Sequence, residues 1–331
     1  MKRYWLSFLT CVDLQTFGTL LKLRPRESIL CVSAADDEHG VFIRDVCKEL
    51  GIGFGFVDIS LASLSCADLI VDGNKGWIQG CAVDASVAVW WRRPAAPRAD
   101  DRITDRRLRE YAVRQWDLAC RALPSICAGF VVNDPSSERS AENKIMQLRA
   151  AARCGFTVPR TMVTNKPLAA ERFIKELASQ GKRCIFKSLY PGRFHFGETR
   201  LIASVESLAV ELSLAPVIFQ EYVERASDLR VTIFGGHVYS AEVISRSEID
   251  WRLDPCHYYE PRPFSQEACD KAFALLEDLG LGTGSFDFRI SKNGAMYFLE
   301  VNPSGQFLYL HRFGYPDIGS MFARFLIGEE A

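Results

Sequence analysis

The sequence predicts an α/β protein built from separate α+β lobes, and three observations carry that reading. Short apolar runs alternate with helical patterns over residues 1 to about 125, the signature of a largely parallel sheet with crossover helices. A second series of helices and strands follows a polar connection, Asn133-Asp134-Pro135-Ser136-Ser137. Near the end, two strand patterns flank Asn293-Gly294, a dipeptide that favours a tight hairpin turn. A chain of 331 residues is long enough for two or three packed lobes.

Taken in order, residues 29–33 read as a strand, 41–50 as a helix, 54–59 and 87–91 as strands. Residues 102–123 form a long amphipathic helix, with Leu108, Tyr111, Ala112, Gln115 and Leu118 at helical spacing as its core-facing stripe. The second unit starts with a helix over 141–154, closed by Gly155. A strand at 160–164, a helix at 168–180, a strand at 183–188, a loop at 190–198 and a strand at 216–223 follow. Strands at 229–234, 238–246, 284–290 and 296–302 make a further sheet beside a helix at 266–279, and a helix at 318–327 ends the series. These patterns divide the chain into 1–133, 134–223 and 224–331.

The composition is that of an ordinary soluble globular protein, 48% hydrophobic and 24% charged. A net charge of −1 argues against a general nucleic-acid binder. No apolar run approaches the roughly 20 residues that span a bilayer. The start, MKRYWLSFLTCVDLQ, is broken by Asp13 and Gln15 and reads as a first strand or ordered arm rather than a signal peptide. Eleven scattered cysteines with no Cys-x-x-Cys pair suit a reduced cytoplasmic chain that uses Cys as a small apolar residue. The five histidines form no ligand pair, so histidine-based metal chemistry is not expected.

The chemistry concentrates in DFRISKNGAMYFLEVNPSGQ, residues 287–306. Glu300 and Asn302 are two apart and share a strand face, and Asp287 can join them from the neighbouring strand. Two carboxylates and an amide oxygen are hard ligands of the kind Mg²⁺ accepts alongside phosphate oxygens. Pro303 ends the strand, and Gly305 permits a ligand to approach the backbone. Any one of these acids alone fits a half-exposed sheet surface; the three together favour a metal site.

Upstream, Lys187 closes an apolar strand before a loop carrying Gly192 and Gly197, an arrangement that can meet a polyphosphate without being a P-loop. Lys144, near the start of its helix, can reach the same phosphates. The connector Gln220-Glu221-Tyr222-Val223 can read an adenine edge through its backbone, and Glu221 or Asp228 can accept from ribose hydroxyls. Arg230, Arg246 and Arg252 carry planar forks suited to phosphate or carboxylate. Each alone is more often a solvated ion pair.

The ordered set resembles the ATP-grasp superfamily over about residues 140–331. Trp90-Trp91-Arg92-Arg93-Pro94, Ile249-Asp250-Trp251-Arg252 and the run from Leu299 to Gln306 make the chain most similar to the microviridin-type peptide macrocyclases, the graspetide synthetases. The resemblance implies an ATP-grasp fold behind an N-terminal Rossmann-like lobe. It implies ATP phosphates on Lys144 and Lys187, adenine at Gln220, Glu221, Tyr222 and Val223, and ribose at Glu221 or Asp228. Arg230 and Arg252, with Arg246 less central, would neutralise the transferred phosphoryl group, and Asp287, Glu300 and Asn302 would bind two Mg²⁺ ions.

The implied reaction is ATP-dependent carboxylate activation through an acyl phosphate, captured by a hydroxyl or an amine to form an ester or an amide. The 190–198 loop would serve as the lid. The implied partner is a ribosomally made precursor peptide whose leader docks on the central lobe near 194–202; a homodimer is compatible, and neither nucleic acid nor a membrane is expected. A ligase that adds amino acids to a protein terminus or joins small molecules shares every nucleotide-site feature. A non-catalytic peptide binder on this fold would have no need of the metal ligands and lysines.

Overall fold

The computed structural model describes residues 26–61, 68–189 and 199–329. The N-terminal strand or arm and the 190–198 loop with Gly192 and Gly197 lie outside the described residues, as does most of the 194–202 segment.

The first sheet is parallel. Strands β1 (Ser28–Val32) and β2 (Gly53–Val57) are joined by the helix Glu38–Leu50, which Asp37 caps by accepting from the Gly40 N–H and Gly51 ends at φ 72°. A small antiparallel meander follows: β3 (Leu69–Asp72), β4 (Lys75–Ile78) and β5 (Cys81–Val83). Strands β6 (Val87–Trp91) and β7 (Phe130–Val132) complete the parallel order β2-β1-β6-β7, as the strand–helix alternation predicts. The meander and β7 have no counterpart in the sequence reading, because three- and four-residue strands carry too few side chains to show a period.

Between β6 and β7 runs the helix Arg106–Cys127, which starts four residues later than predicted because the Asp105 carboxylate accepts from the Arg107 and Leu108 N–H groups. Its predicted stripe is on the wrong face. Leu108, Tyr111 and Leu118 are 59%, 62% and 66% exposed, while Cys120, Leu123 and Cys127 are buried against the sheet. The periodicity identified an amphipathic helix, but its carboxyl-terminal half does the packing.

The polar stretch 133–137 is not a free linker. Asp134 caps a helix, Pro135–Ala141, that the sequence reading took for a connection, and Asn143 caps the helix Lys144–Arg153, which starts three residues later than the predicted 141–154. The break sets Lys144 in a first helical turn.

The second sheet is antiparallel in the order β10-β9-β11-β8, from β8 (Thr161–Thr164), β9 (Cys184–Lys187), β10 (Arg200–Ile202) and β11 (Val217–Glu221). The helix Pro167–Ser179 covers it through Phe173, Ile174 and Leu177. The third sheet has the order β14-β13-β12-β15-β16, from β12 (Arg225–Phe234), β13 (His237–Ile244), β14 (Tyr258–Pro261), β15 (Thr283–Ser291) and β16 (Met296–Asn302). One of its faces packs Leu229, Val231, Phe286, Phe288, Phe298 and Val301 against the helix Gln266–Asp278.

The final helix, Ile318–Ile327, joins the first and third sheets. Phe322 meets Trp90 of β6 at 5.0 Å and Phe234 of β12 at 5.1 Å between ring centroids. Trp90 and Trp91 are both buried and belong to the clusters on opposite faces of the first sheet, so the aromatic pair serves packing directly.

Candidate active site

The polar face of the third sheet is organised in rows. Register places Arg230 opposite Asp287 and Asp287 opposite Glu300, with Thr232, Ser285 and Asn302 in the next row and Asp228 opposite Arg289 in the row before. Alternation along β12 and β15 sends the intervening residues into the core. The turn is the predicted one, with Gly294 at φ 84°.

Strand β16 departs from regular alternation. Phe298 and Glu300 are two apart and would share a face in a regular strand, yet Phe298 is fully buried in the core and Glu300 lines the cavity on the other side. A register shift makes this possible: Glu300 pairs with Asp287 and Phe298 with Phe288, leaving Leu299 as the extra residue of a bulge. Gln147 pins the shifted strand. Its buried side chain accepts from the Val301 N–H at 3.1 Å and donates to the Val301 carbonyl at 2.7 Å.

Asp287, Glu300 and Asn302 border a cavity of about 870 Å³, also lined by Lys144, Lys187, Asp228, Arg230 and Arg252. Lys144 Nζ lies 2.5 Å from Glu300 Oε2. Burial alone would raise the Glu300 carboxyl, but Lys144 and Lys187 outweigh it and hold Glu300 well below the usual carboxylate range. Burial raises Asp287, which Arg230 only partly offsets. Lys187 is pushed down to about 8 by burial, partly countered by Glu300. Arg230 Nε stands 3.2 Å from Asp287 Oδ1, and the guanidinium lies over the rings of Trp251 and Tyr309. Arg252 is forked onto Asp250, with Nε 2.8 Å from Oδ1, and extends half-exposed into the cavity.

Asp287 Oδ1 is buried and meets only the Arg230 guanidinium, as an ion pair without hydrogen-bond geometry, among the described residues. Among these residues no cluster of three His, Cys, Asp or Glu could by itself hold a metal. Two carboxylates and one amide oxygen are therefore too few for a closed cage, but fit Mg²⁺, which completes its octahedron with phosphate and water.

Other predicted residues are placed elsewhere or occupied. Arg246 is exposed and does not line the cavity; its backbone N–H donates to the Asp254 carboxylate in the loop after β13. Gln220, Glu221, Tyr222 and Val223 do not line this cavity either. Gln220 donates to Thr161 Oγ1, Glu221 pairs with Lys182 at 2.7 Å, and the Tyr222 hydroxyl donates to the Glu248 carbonyl. Asp228 borders the cavity, but its carboxylate is held by Arg289 at 2.7 Å and Arg225 at 2.8 Å, an arrangement that builds the sheet rather than awaits a sugar. Gly305 makes room for protein, not ligand: a Cβ there would stand 2.1 Å from Ser285 Oγ. Gly305→Ala is accordingly expected to lower stability by about 1–3 kcal/mol, the cost of an overpacked core site, measurable as a fall in Tm.

The sequence reading missed the first sheet's share of the site. Arg92 is 2% exposed, pairs with Asp37 and donates to the carbonyls of Ser304 and Gly305 at 3.0 and 3.2 Å. Asn133 donates to the Thr283 and Pro303 carbonyls and accepts from the Gly282 and Thr283 N–H groups. These two side chains clamp the turn after Asn302. Arg93 and Glu138 line the cavity, and Arg93 holds a left-handed φ of 44°, uncommon for a side-chain-bearing residue. The clustering of polar residues at 92–93 and 133–138 was visible in sequence; its target, some 170–210 residues away, was not.

No protein-family model matches the chain. A probable α-L-glutamate ligase of Mannheimia succiniciproducens is 26% identical over 207 residues, covering 59% of this chain and 67% of that protein. Among solved structures, the macrocyclase MdnC of Microcystis aeruginosa, bound with precursor peptide MdnA, superposes with a TM-score of 0.75 at 22% identity, over 90% of this chain and 99% of its own. The Chryseobacterium gregarium RiPP-associated ATP-grasp ligase, in complex with ADP and a leader and core peptide, gives 0.78 at 21% identity over 92% and 98%. The ATP-grasp ligase PsnB, complexed with minimal precursor, Mg and ADP, gives 0.75 at 25% identity over 93% and 98%.

Proposed function

The chain has the fold of the ATP-grasp ligases, and we propose that it activates side-chain carboxylates of a ribosomally made precursor peptide with ATP and closes them onto Ser, Thr or Lys side chains as esters or amides. The observation that supports this most is the convergence of Lys144, Lys187, Arg230, Arg252 and the Asp287–Glu300 row in one cavity. In this reading the lobes divide near residues 133 and 223.

Lys144 and Lys187 bind and orient the ATP phosphates as point charges. Asp287, Glu300 and Asn302 would hold Mg²⁺, two ions in this reading, which supplies charge neutralisation and a template for phosphoryl transfer. A substrate carboxylate oxygen attacks the γ-phosphorus, the bond to the β-phosphate bridging oxygen breaks, and ADP leaves. Arg230 is preorganised for the charge on the transferred group by Asp287 on one side and two aromatic rings on the others, so it need not reorganise as the reaction proceeds. Arg252, forked onto Asp250, acts from the mouth. The Ser, Thr or Lys side chain then attacks the acyl carbon and releases phosphate. No protein nucleophile is required.

The test is mass spectrometry of peptides made from short open reading frames flanking the gene, the candidates being those ending in Thr/Ser/Lys and Asp/Glu, after incubation with ATP and Mg²⁺. Loss of one water per ring with matching ADP formation supports the reading; an unchanged peptide opposes it. Strand β10, at the edge of the second sheet with Leu201 partly exposed, is the leader contact we favour. Removing the leader is expected to slow turnover by roughly 10²-fold at low peptide concentration, through lost effective concentration, as read by initial rates of ADP release.

The glutamate-ligase relative favours a second reading, in which free glutamate is the amine joined to a peptide or protein terminus. Addition of glutamate mass, rather than loss of water, would select it.

A further inference from the structure

We propose that Glu138 is the proton acceptor of the ring-closing step, its Oε2 receiving the hydrogen of the hydroxyl or amine that attacks the activated carboxyl. The inference rests on the ligase reading above and adds a residue from outside the nucleotide and metal set.

Glu138 lies on the helix Pro135–Ala141, is 6% exposed and lines the same cavity as Lys187, Arg230 and Asn302. Its two oxygens differ. Oε1 accepts from Ser304 Oγ at 2.8 Å, which fixes the carboxyl beside the turn that follows Asn302. Oε2 is buried and has no partner among the described residues, and no Lys, Arg or His among them pairs with the carboxyl. A buried carboxylate oxygen without a donor is costly, and a fold retains one most simply where a ligand supplies the donor. Arg92 explains why the group stays in place, because it holds the carbonyls of Ser304 and Gly305 from beneath.

The charged and polar groups around Glu138 tune it for the task. Burial raises it, Ser304 lowers it, Glu142 raises it and Arg92 and Arg93 lower it, leaving the carboxyl at about 7. A base near the working pH is ionised often enough to act and basic enough to take a proton.

The step balances. The lone pair of the attacking oxygen or nitrogen forms the bond to the acyl carbon, and its hydrogen passes to Glu138 Oε2. The bond from the acyl carbon to the phosphate oxygen breaks, and phosphate leaves with that electron pair. Glu138 then returns the proton to phosphate or solvent.

The experiment compares the parent with Glu138→Gln and Glu138→Asp in ATP, Mg²⁺ and the adjacent-gene precursor, with and without hydroxylamine as an external nucleophile. Glu138→Gln should slow ring closure by about 10²–10⁴-fold while hydroxamate formation stays within about threefold of the parent, since hydroxylamine brings its own basicity. The parent's ring-closing rate should rise with pH through neutrality and that rise should vanish in Glu138→Gln; Glu138→Asp should recover part of the rate. Parental ring closure in Glu138→Gln overturns the proposal. So does equal loss of hydroxamate and ring in both variants with Tm unchanged, which would place Glu138 before transfer. A Glu138→Gln chain with a collapsed Tm, joined to a normally folded Glu138→Asp that closes no rings faster than it, also overturns it. If the parent yields neither hydroxamate nor ADP, the ligase reading itself falls.

Discussion

Glu300→Gln is expected to reduce precursor-dependent ADP formation by about 10²–10³-fold or more, the usual effect of removing one preorganised electrostatic contact from a transfer site. Three features of Glu300 converge on that outcome. It stands across from Asp287 in the sheet register, it meets Lys144 at 2.5 Å, and it contributes to holding charge on Lys187. Gln keeps the shape but removes the negative charge that both lysines and a divalent cation would face. The bulge at Leu299 and the Gln147 clamp do not depend on that charge, so the fold should persist. Steady-state ADP release, with a Tm measured on the same sample, separates loss of chemistry from loss of fold. Undiminished, Mg²⁺-dependent turnover by Glu300→Gln would remove this residue from the metal set, and Mg²⁺-independent peptide binding as the sole surviving activity of the parent would favour a binder.

Arg92→Met should carry the largest stability effect, about 3–5 kcal/mol, as expected when one partner of a buried ion pair is removed. Met approximates the buried volume, so the loss is not a cavity effect. It leaves Asp37 without its guanidinium and strips donors from the Ser304 and Gly305 carbonyls. For Asp37, burial raises the carboxyl, but Arg92, with help from the Gly40 N–H, outweighs it and holds Asp37 below its ordinary value. A depressed folded value stabilises above the unfolded pKa, roughly 3.9, and that contribution fades as pH falls through the folded value. The Tm gap between parent and variant should therefore be widest near neutrality and narrow below about pH 4. Hydrogen exchange should also rise at 304–307, and turnover should fall with it, because the loosened turn carries Ser304. A constant Tm gap from neutrality to acid would exclude the Asp37 contribution.

The hairpin shows how far sequence reasoning reached. Asn293-Gly294 named the turn, and the turn set Asp287 and Glu300 on neighbouring strands. In a regular strand Phe298 and Glu300, two apart, would face one way, and here they do not. A bulge is a tertiary event: Phe298 fills a core position against Phe156 and Phe288, and the strand gives up one residue of register to let it do so. The helix Arg106–Cys127 was read on the wrong face, because an apolar stripe has no marker saying which half finds a partner. Asp228 and Arg230, two apart on one strand, are both site candidates in sequence. Only the arginines at 225 and 289, on either side of Asp228, decide that it is structural while Arg230 is left to the cavity.

The sequence by itself determined most of the longer elements and the identity of the charged groups, because helix caps, strand periods, turn dipeptides and side-chain chemistry act over a few residues. Tertiary structure decided which groups meet. Arg92 to Ser304, Asn133 to Pro303 and Glu138 to Ser304 join segments more than 160 residues apart. No local preference encodes such pairings; they follow from the Ile318–Ile327 helix holding the first sheet against the third, which puts one lobe's buried polar groups over the strand that carries Glu300 and Asn302.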